Sequence, residues 1–238
     1  WVEPSDDLEL DENKEYDEFH VFTRPGHHVG IAYTSGLQYK GAIWTEDGSQ
    51  PMVISDRRSG EWVHVIYTVD TLLKRLRMYV NGVETNESPT DYLGKIKEAN
   101  NVSYYIGCAN PMARFNDRGY FIGNVAQIAL WSTCLESSEV EHLYNEGRPY
   151  NVTENQQFDG WKSGTETYKS ANKVVGYWDF DNVVGDMALD KSGNDNHAKI
   201  IGAIKKEKEL RIGSSALVPN RRDGRFTCLD HEENGWVE

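Results

Sequence analysis

The chain has 238 residues, 38% of them hydrophobic, enough for a folded core and for one large all-β domain or one domain with part of a second. Twenty-five Lys and Arg against 38 Asp and Glu leave a formal net charge of −13, which repels phosphate backbones and anionic lipid headgroups and argues against nucleic acid and membrane surfaces as partners. No apolar run approaches the roughly 20 residues that span a bilayer, so membrane insertion is not expected, and a start at Trp1 without a signal-like stretch suggests a part of a larger polypeptide or assembly.

After a hydrophilic run, Ser5 to Glu18, the dominant period is two, with short β-branched and aromatic runs between glycine-rich or polar turns. Trp62 to Val69 alternates Val63, Val65, Tyr67 and Val69 against His64, Ile66 and Thr68. Leu76, Met78 and Val80 share the next face, and Asn81-Gly82 follows at once. Both turn residues tolerate positive φ, so a type I′ hairpin is predicted there. Further strands are predicted at Val102–Cys108 and Phe121–Trp131, with Ala109–Gly119 as a loop.

One short helix follows, read from Ser138 with Glu141 as a capping box, Val140, Leu143 and Tyr144 at helical spacing, and Gly147 as the stop. Residues 148–173 are rich in Asn, Gln, Gly, Ser and Thr and read as a linker or long surface loop. Strand patterns resume at Val174–Phe180, Ala198–Ile204 and Arg225–Leu229. The three cysteines, Cys108, Cys134 and Cys228, allow at most one internal disulfide and do not fix the compartment. N-x-S/T triplets at Asn86, Asn101 and Asn151 suit an extracellular or cell-surface protein, with an intracellular assembly as the alternative.

The ordered series Gly60-Glu-Trp-Val-His-Val-Ile-Tyr-Thr-Val-Asp70, Leu76-Arg-Met-Tyr-Val-Asn-Gly-Val83, Tyr105-Ile-Gly107 and Phe121 to Trp131, extended by Leu135 to Tyr144, resembles laminin-G-like domains of the concanavalin-A-like jelly-roll superfamily. The likeness covers nearly all of residues 1–147. Gly176-Tyr-Trp-Asp-Phe-Asp and Leu189 to His197 resemble the family's first strand and following turn, so its motif order stands cyclically displaced. The implied fold is an all-β, antiparallel two-sheet jelly-roll sandwich with one short helix. Residues 1–147 would be its main part. Residues 174–238 are expected to complete the same sandwich, because two half-sandwiches would expose apolar sheet faces and strand edges; the alternative is the start of a second repeat.

Two sites are candidates. Asp179, Asp181, Asp190, Ser192, Asn194 and Asn196 could turn several oxygens toward a calcium ion, which needs six to eight, and the resemblance implies a structural calcium. The same residue types also make turns for backbone reasons alone. Trp161, in the linker, is the aromatic most exposed by expectation and so the candidate for stacking on a sugar ring; Trp62 and Trp178 are expected in the core.

Enzymatic readings are weaker. Glu9, Asp11 and Asn13 only partly resemble the paired carboxylates of jelly-roll glucanases, in a run that otherwise reads as a solvated loop. No nucleophile elbow, phosphate loop or helical zinc pair occurs, so no catalytic or cofactor-binding residue is assigned. The expected function is a non-catalytic recognition or adhesion module for a glycan or protein ligand. The alternatives are a scaffolding domain within a larger assembly and an accessory domain of a glycoside-processing enzyme.

Overall fold

The computed structural model describes residues 1–5, 18–24, 29–34, 36–57, 61–89, 96, 103–108, 121–148, 150–155, 168–201, 203–210, 213–219 and 225–228. In chain order its strands are β1 (Val2–Pro4), β2 (Glu18–Arg24), β3 (Val29–Thr34), β4 (Gln38–Ala42), β5 (Met52–Arg57), β6 (Val65–Asp70), β7 (Arg75–Val80), β8 (Val83–Pro89) and β9 (Tyr105–Ile106). There follow β10 (Gly123–Val125), β11 (Ile128–Trp131), the helix α1 (Ser137–Tyr144), β12 (Val174–Trp178), β13 (Val183–Val184), β14 (Met187–Ala188), β15 (Ala198–Ile201), β16 (Ala203–Leu210), β17 (Gly213–Pro219) and β18 (Arg225–Cys228). Among the described residues, apart from α1 and two short 3-10 turns, the regular structure is antiparallel strand, as the period-two pattern requires.

The largest sheet runs β13-β14-β15-β18-β9-β2-β3-β4-β5. Facing it are smaller groups, β6-β7-β8, β11-β12 and β1-β10-β17-β16. The main core lies between the two layers, where Val21, Tyr33, Tyr39 and Ile106 of the large sheet meet Val63, Leu76, Met78, Val125 and Trp178. A second core forms on the outer side, where Ile66 and Tyr79 meet Leu135, Val140 and Leu143 around α1 together with Tyr150, Val152, Tyr168 and Tyr177. Strand β6 is therefore covered on both faces: Val65, Tyr67 and Val69 point to the main core and Ile66 to the second.

Local chemistry explains most elements. Asn81 and Gly82 hold φ of 52° and 78°, the left-handed pair of a type I′ turn, and Val80 pairs Val83 across it. The strand read as continuous from Phe121 to Trp131 is two strands, because Gln127 adopts φ 49° and kinks the chain between β10 and β11. Helix α1 is capped two residues earlier than predicted. The capping box is formed by Glu136 and Glu139, with Glu136 N donating to Glu139 Oε2 at 3.2 Å, and Asn145 closes the helix at φ 46°. The buried Glu139 carboxylate at N3 also accepts Lys169 N at 3.2 Å and so ties the helix start to the chain entering β12.

The late segment meets the early one along β11 and β12, whose register sets Ile128 opposite Trp178, Ala129 opposite Tyr177 and Leu130 opposite Gly176. Cys108 and Cys134 are not joined in a disulfide, so the bond that sequence left open between them is not formed.

Candidate functional site

The polar turn after β14 is built around one carboxylate. Asp190 is buried, and its Oδ1 accepts Tyr177 N and Ser192 N, each at 2.8 Å, while Oδ2 accepts Ser192 Oγ at 2.7 Å and Asn196 N at 3.0 Å. A carboxylate has about four lone-pair sites, so these donors occupy the whole group. The remaining polar residues fasten the turn to β12: Asn194 Nδ2 donates to Val174 O at 3.3 Å, Asn196 Nδ2 to Val175 O at 2.7 Å, and Trp178 Nε1 to Asn196 O at 2.8 Å. Asp195 and Gly193, at φ 57° and 86°, supply the left-handed positions that let the turn wrap around Asp190.

Of the six residues proposed for calcium, Asp190, Ser192, Asn194 and Asn196 are thus brought together, and Asp179 joins them through Lys191. The Lys191 ammonium is bonded to Asp179 Oδ2, and Asp179 Oδ1 accepts Asp181 N at 3.1 Å. Asp181 itself lies exposed. This donor set does not fit a calcium cage: the central carboxylate is filled by N–H and O–H donors, two amides aim their NH2 groups at backbone carbonyls, and a lysine supplies the positive charge beside Asp179. Among the described residues no group of three or more His, Cys, Asp and Glu side chains is arranged to hold a metal. Sequence reasoning missed Lys191, whose position next to Asp190 was the available signal.

Trp161 and the Glu9–Asn13 stretch lie outside the described residues. Trp178 is fully in the main core, and Trp62 is half-buried against Trp1 and Ala126. The Trp1 ring also lies tilted at 4.7 Å from that of His64, which burial and, secondarily, the adjacent terminal ammonium push down to a pKa of about 3. The buried carboxylates among the described residues, Glu139, Asp179 and Asp190, are each engaged by backbone amides or an ammonium. None of the three is free to act as an acid or nucleophile.

A cavity of about 1080 Å³ among the described residues is lined by β6, β11 and residues of both cores. Its walls are mixed, with Val65, Ile66, Leu130 and Leu143 beside polar Thr68, Asp70, Gln127 and Ser132.

With this geometry in hand, the comparisons identify the class. The family described as the concanavalin A-like lectin/glucanases superfamily, of the laminin G type, matches residues 1–141. The chain belongs to that superfamily. Among solved structures it is similar to a candidate carbohydrate-binding protein from Bacteroides ovatus, at a TM-score of 0.51 and 16% identity over 76% of this chain. It spans 47% of that protein. It is also similar to the binding domain of Paraclostridial mosquitocidal protein 1, at a TM-score of 0.40 and 13% identity over 87% of this chain and 68% of that one. No curated protein sequence matches significantly.

Proposed function

We propose that the chain is a non-catalytic recognition module that binds a glycan, acting outside the cell as one part of a larger polypeptide. The observation that carries this reading is membership of a lectin and glucanase superfamily together with buried carboxylates that serve the fold. A glucanase on this scaffold needs two carboxyl groups facing one cleft about 5 Å apart for retention or ~6.5–9.5 Å apart for inversion. Among the described residues the buried acidic side chains, Glu139, Asp179 and Asp190, are already paired. The candidate carbohydrate binding described for the Bacteroides ovatus protein agrees with the glycan side of the reading.

Glycan recognition by such a sandwich requires exposed aromatic faces and amide or carboxylate side chains on a rim, where ring C–H groups stack and hydroxyls are hydrogen-bonded. A glycan array probed with the labelled chain tests the proposal. Signal confined to a related set of oligosaccharides is the expected result. A blank array would refute it and leave a protein ligand as the remaining reading for this fold.

A further inference from the structure

Three tripeptides carry the Asn-x-Ser/Thr pattern, at Asn86, Asn101 and Asn151, and glycan recognition uses none of them. The fold treats them differently. Asn86 sits within β8 opposite Met78, and its Nδ2 donates to Ile54 O of β5 at 2.9 Å. A sugar on that nitrogen has to fit between β8 and β5, and Pro89 follows the triplet directly. Asn101 lies outside the described residues.

Asn151 stands on the surface of the second core, beyond the residues 1–141 that match the superfamily. Its neighbours Tyr150 and Val152 are both buried there, so the side chain between them is turned out to solvent and is exposed. The backbone beneath it is pinned: Tyr168 Oη donates to Val152 O at 2.7 Å and Tyr150 Oη to Glu154 O at 3.2 Å. Within the triplet Thr153 Oγ1 donates to Asn151 Oδ1 at 2.8 Å, and Thr153 N to the same oxygen at 3.2 Å. The amide nitrogen carries two N–H groups. One donates to Glu154 Oε1 at 2.8 Å, and the other meets no acceptor among the described residues.

We propose that Asn151 is the acceptor for an N-linked oligosaccharide, transferred from a lipid diphosphate donor by a glycosyltransferase of the secretory route. The bond from Nδ2 to the anomeric carbon forms as the bond from that carbon to the diphosphate oxygen breaks. The diphosphate leaves with the electron pair, and one Nδ2 proton passes to a base of the transferase. The remaining N–H keeps its bond to Glu154, so the turn survives the substitution. The attached sugar covers the solvent side of Tyr150 and Val152 and takes that surface out of ligand recognition. This inference rests on the proposed placement of the chain outside the cell.

The test directs the full chain into the secretory lumen of insect cells behind a cleavable leader, with a flexible C-terminal tag bearing a further acceptor triplet as internal control. Chain from medium and lysate is treated in heavy-oxygen water with the amidase that releases N-linked oligosaccharides. Peptide mass spectrometry then reads each former acceptor as a labelled aspartate. Label at residue 151 is expected wherever the tag is occupied. Asn151→Gln and Thr153→Ala should each lose it, together with the mass of one oligosaccharide, while Thr153→Ser and Asn86→Gln should keep it. An occupied tag beside an unlabelled residue 151 would overturn the proposal, as would label confined to residues 86 or 101. Because the leader sets the compartment, such a failure counts against the site and not against placement outside the cell. That placement fails separately, if an antibody finds the native chain retained inside its own cells.

Discussion

Acidification should destabilise this fold through a group that carries a charge only because Trp1 bears a free amine. In the folded chain that amine is buried and its pKa falls from 8.0 to about 5. Between those values the unfolded chain binds the proton and the folded chain does not, so stability rises with pH across the window and is lost as pH falls through it. Three pKa units correspond to about 4 kcal/mol when fully developed below pH ~5. From pH ~8.5 to pH ~6 the loss is about 2.5 kcal/mol by the same linkage.

His64, in ring contact with Trp1 and lowered from 6.5 to about 3, adds a loss of the same sign that begins below pH ~7. Acetylating the amine removes the first contribution and leaves the part of His64's that comes from burial, its larger cause. Urea unfolding midpoints at several pH values, for the free and the acetylated chain, measure the difference directly. Two parallel pH profiles would refute the reasoning, because the terminal charge would then carry no burial penalty.

Replacing Asp190 with alanine strands the buried amide of Tyr177 and frees the Asn196 turn, and is expected to lower stability by about 3 kcal/mol in urea denaturation. Calcium at millimolar concentration, or a chelator, should leave the melting temperature unchanged, because Lys191 and backbone donors already neutralise Asp179 and Asp190; a rise of several degrees with calcium would contradict this. Gly41→Ala places a Cβ 2.4 Å from the Tyr67 ring and should destabilise by about 1–3 kcal/mol, with Tyr67→Ala recovering part of that loss in the double variant. Trp178→Phe removes the donor to Asn196 O and loosens the turn, visible as faster hydrogen exchange at Ser192 and Asn196.

Much of the fold was legible because its signals are local. The alternation from Val63 to Val69 and the Asn81-Gly82 turn each depend on neighbours in sequence, and both appear as read. The break at Gln127 was not legible, since nothing in a glutamine side chain announces a positive φ that tertiary packing imposes. The helix start shifted to the Glu136–Glu139 capping box, whose Glu139 also accepts Lys169 N, some 30 residues away, a bond that no local pattern encodes.

The turn at Asp190 shows the limit for sites. Calcium cages and self-bonded turns draw on the same Asp, Asn, Ser and Gly, and only the direction of each N–H separates them.

The measurement that bears most directly on the central claim is a capture experiment with an oligosaccharide mixture, analysed by mass spectrometry of both the retained and the unretained fractions. A recognition module retains a related subset of the sugars and returns every one at its original mass after prolonged incubation. Retention of none, or the appearance of shortened products, would contradict the account.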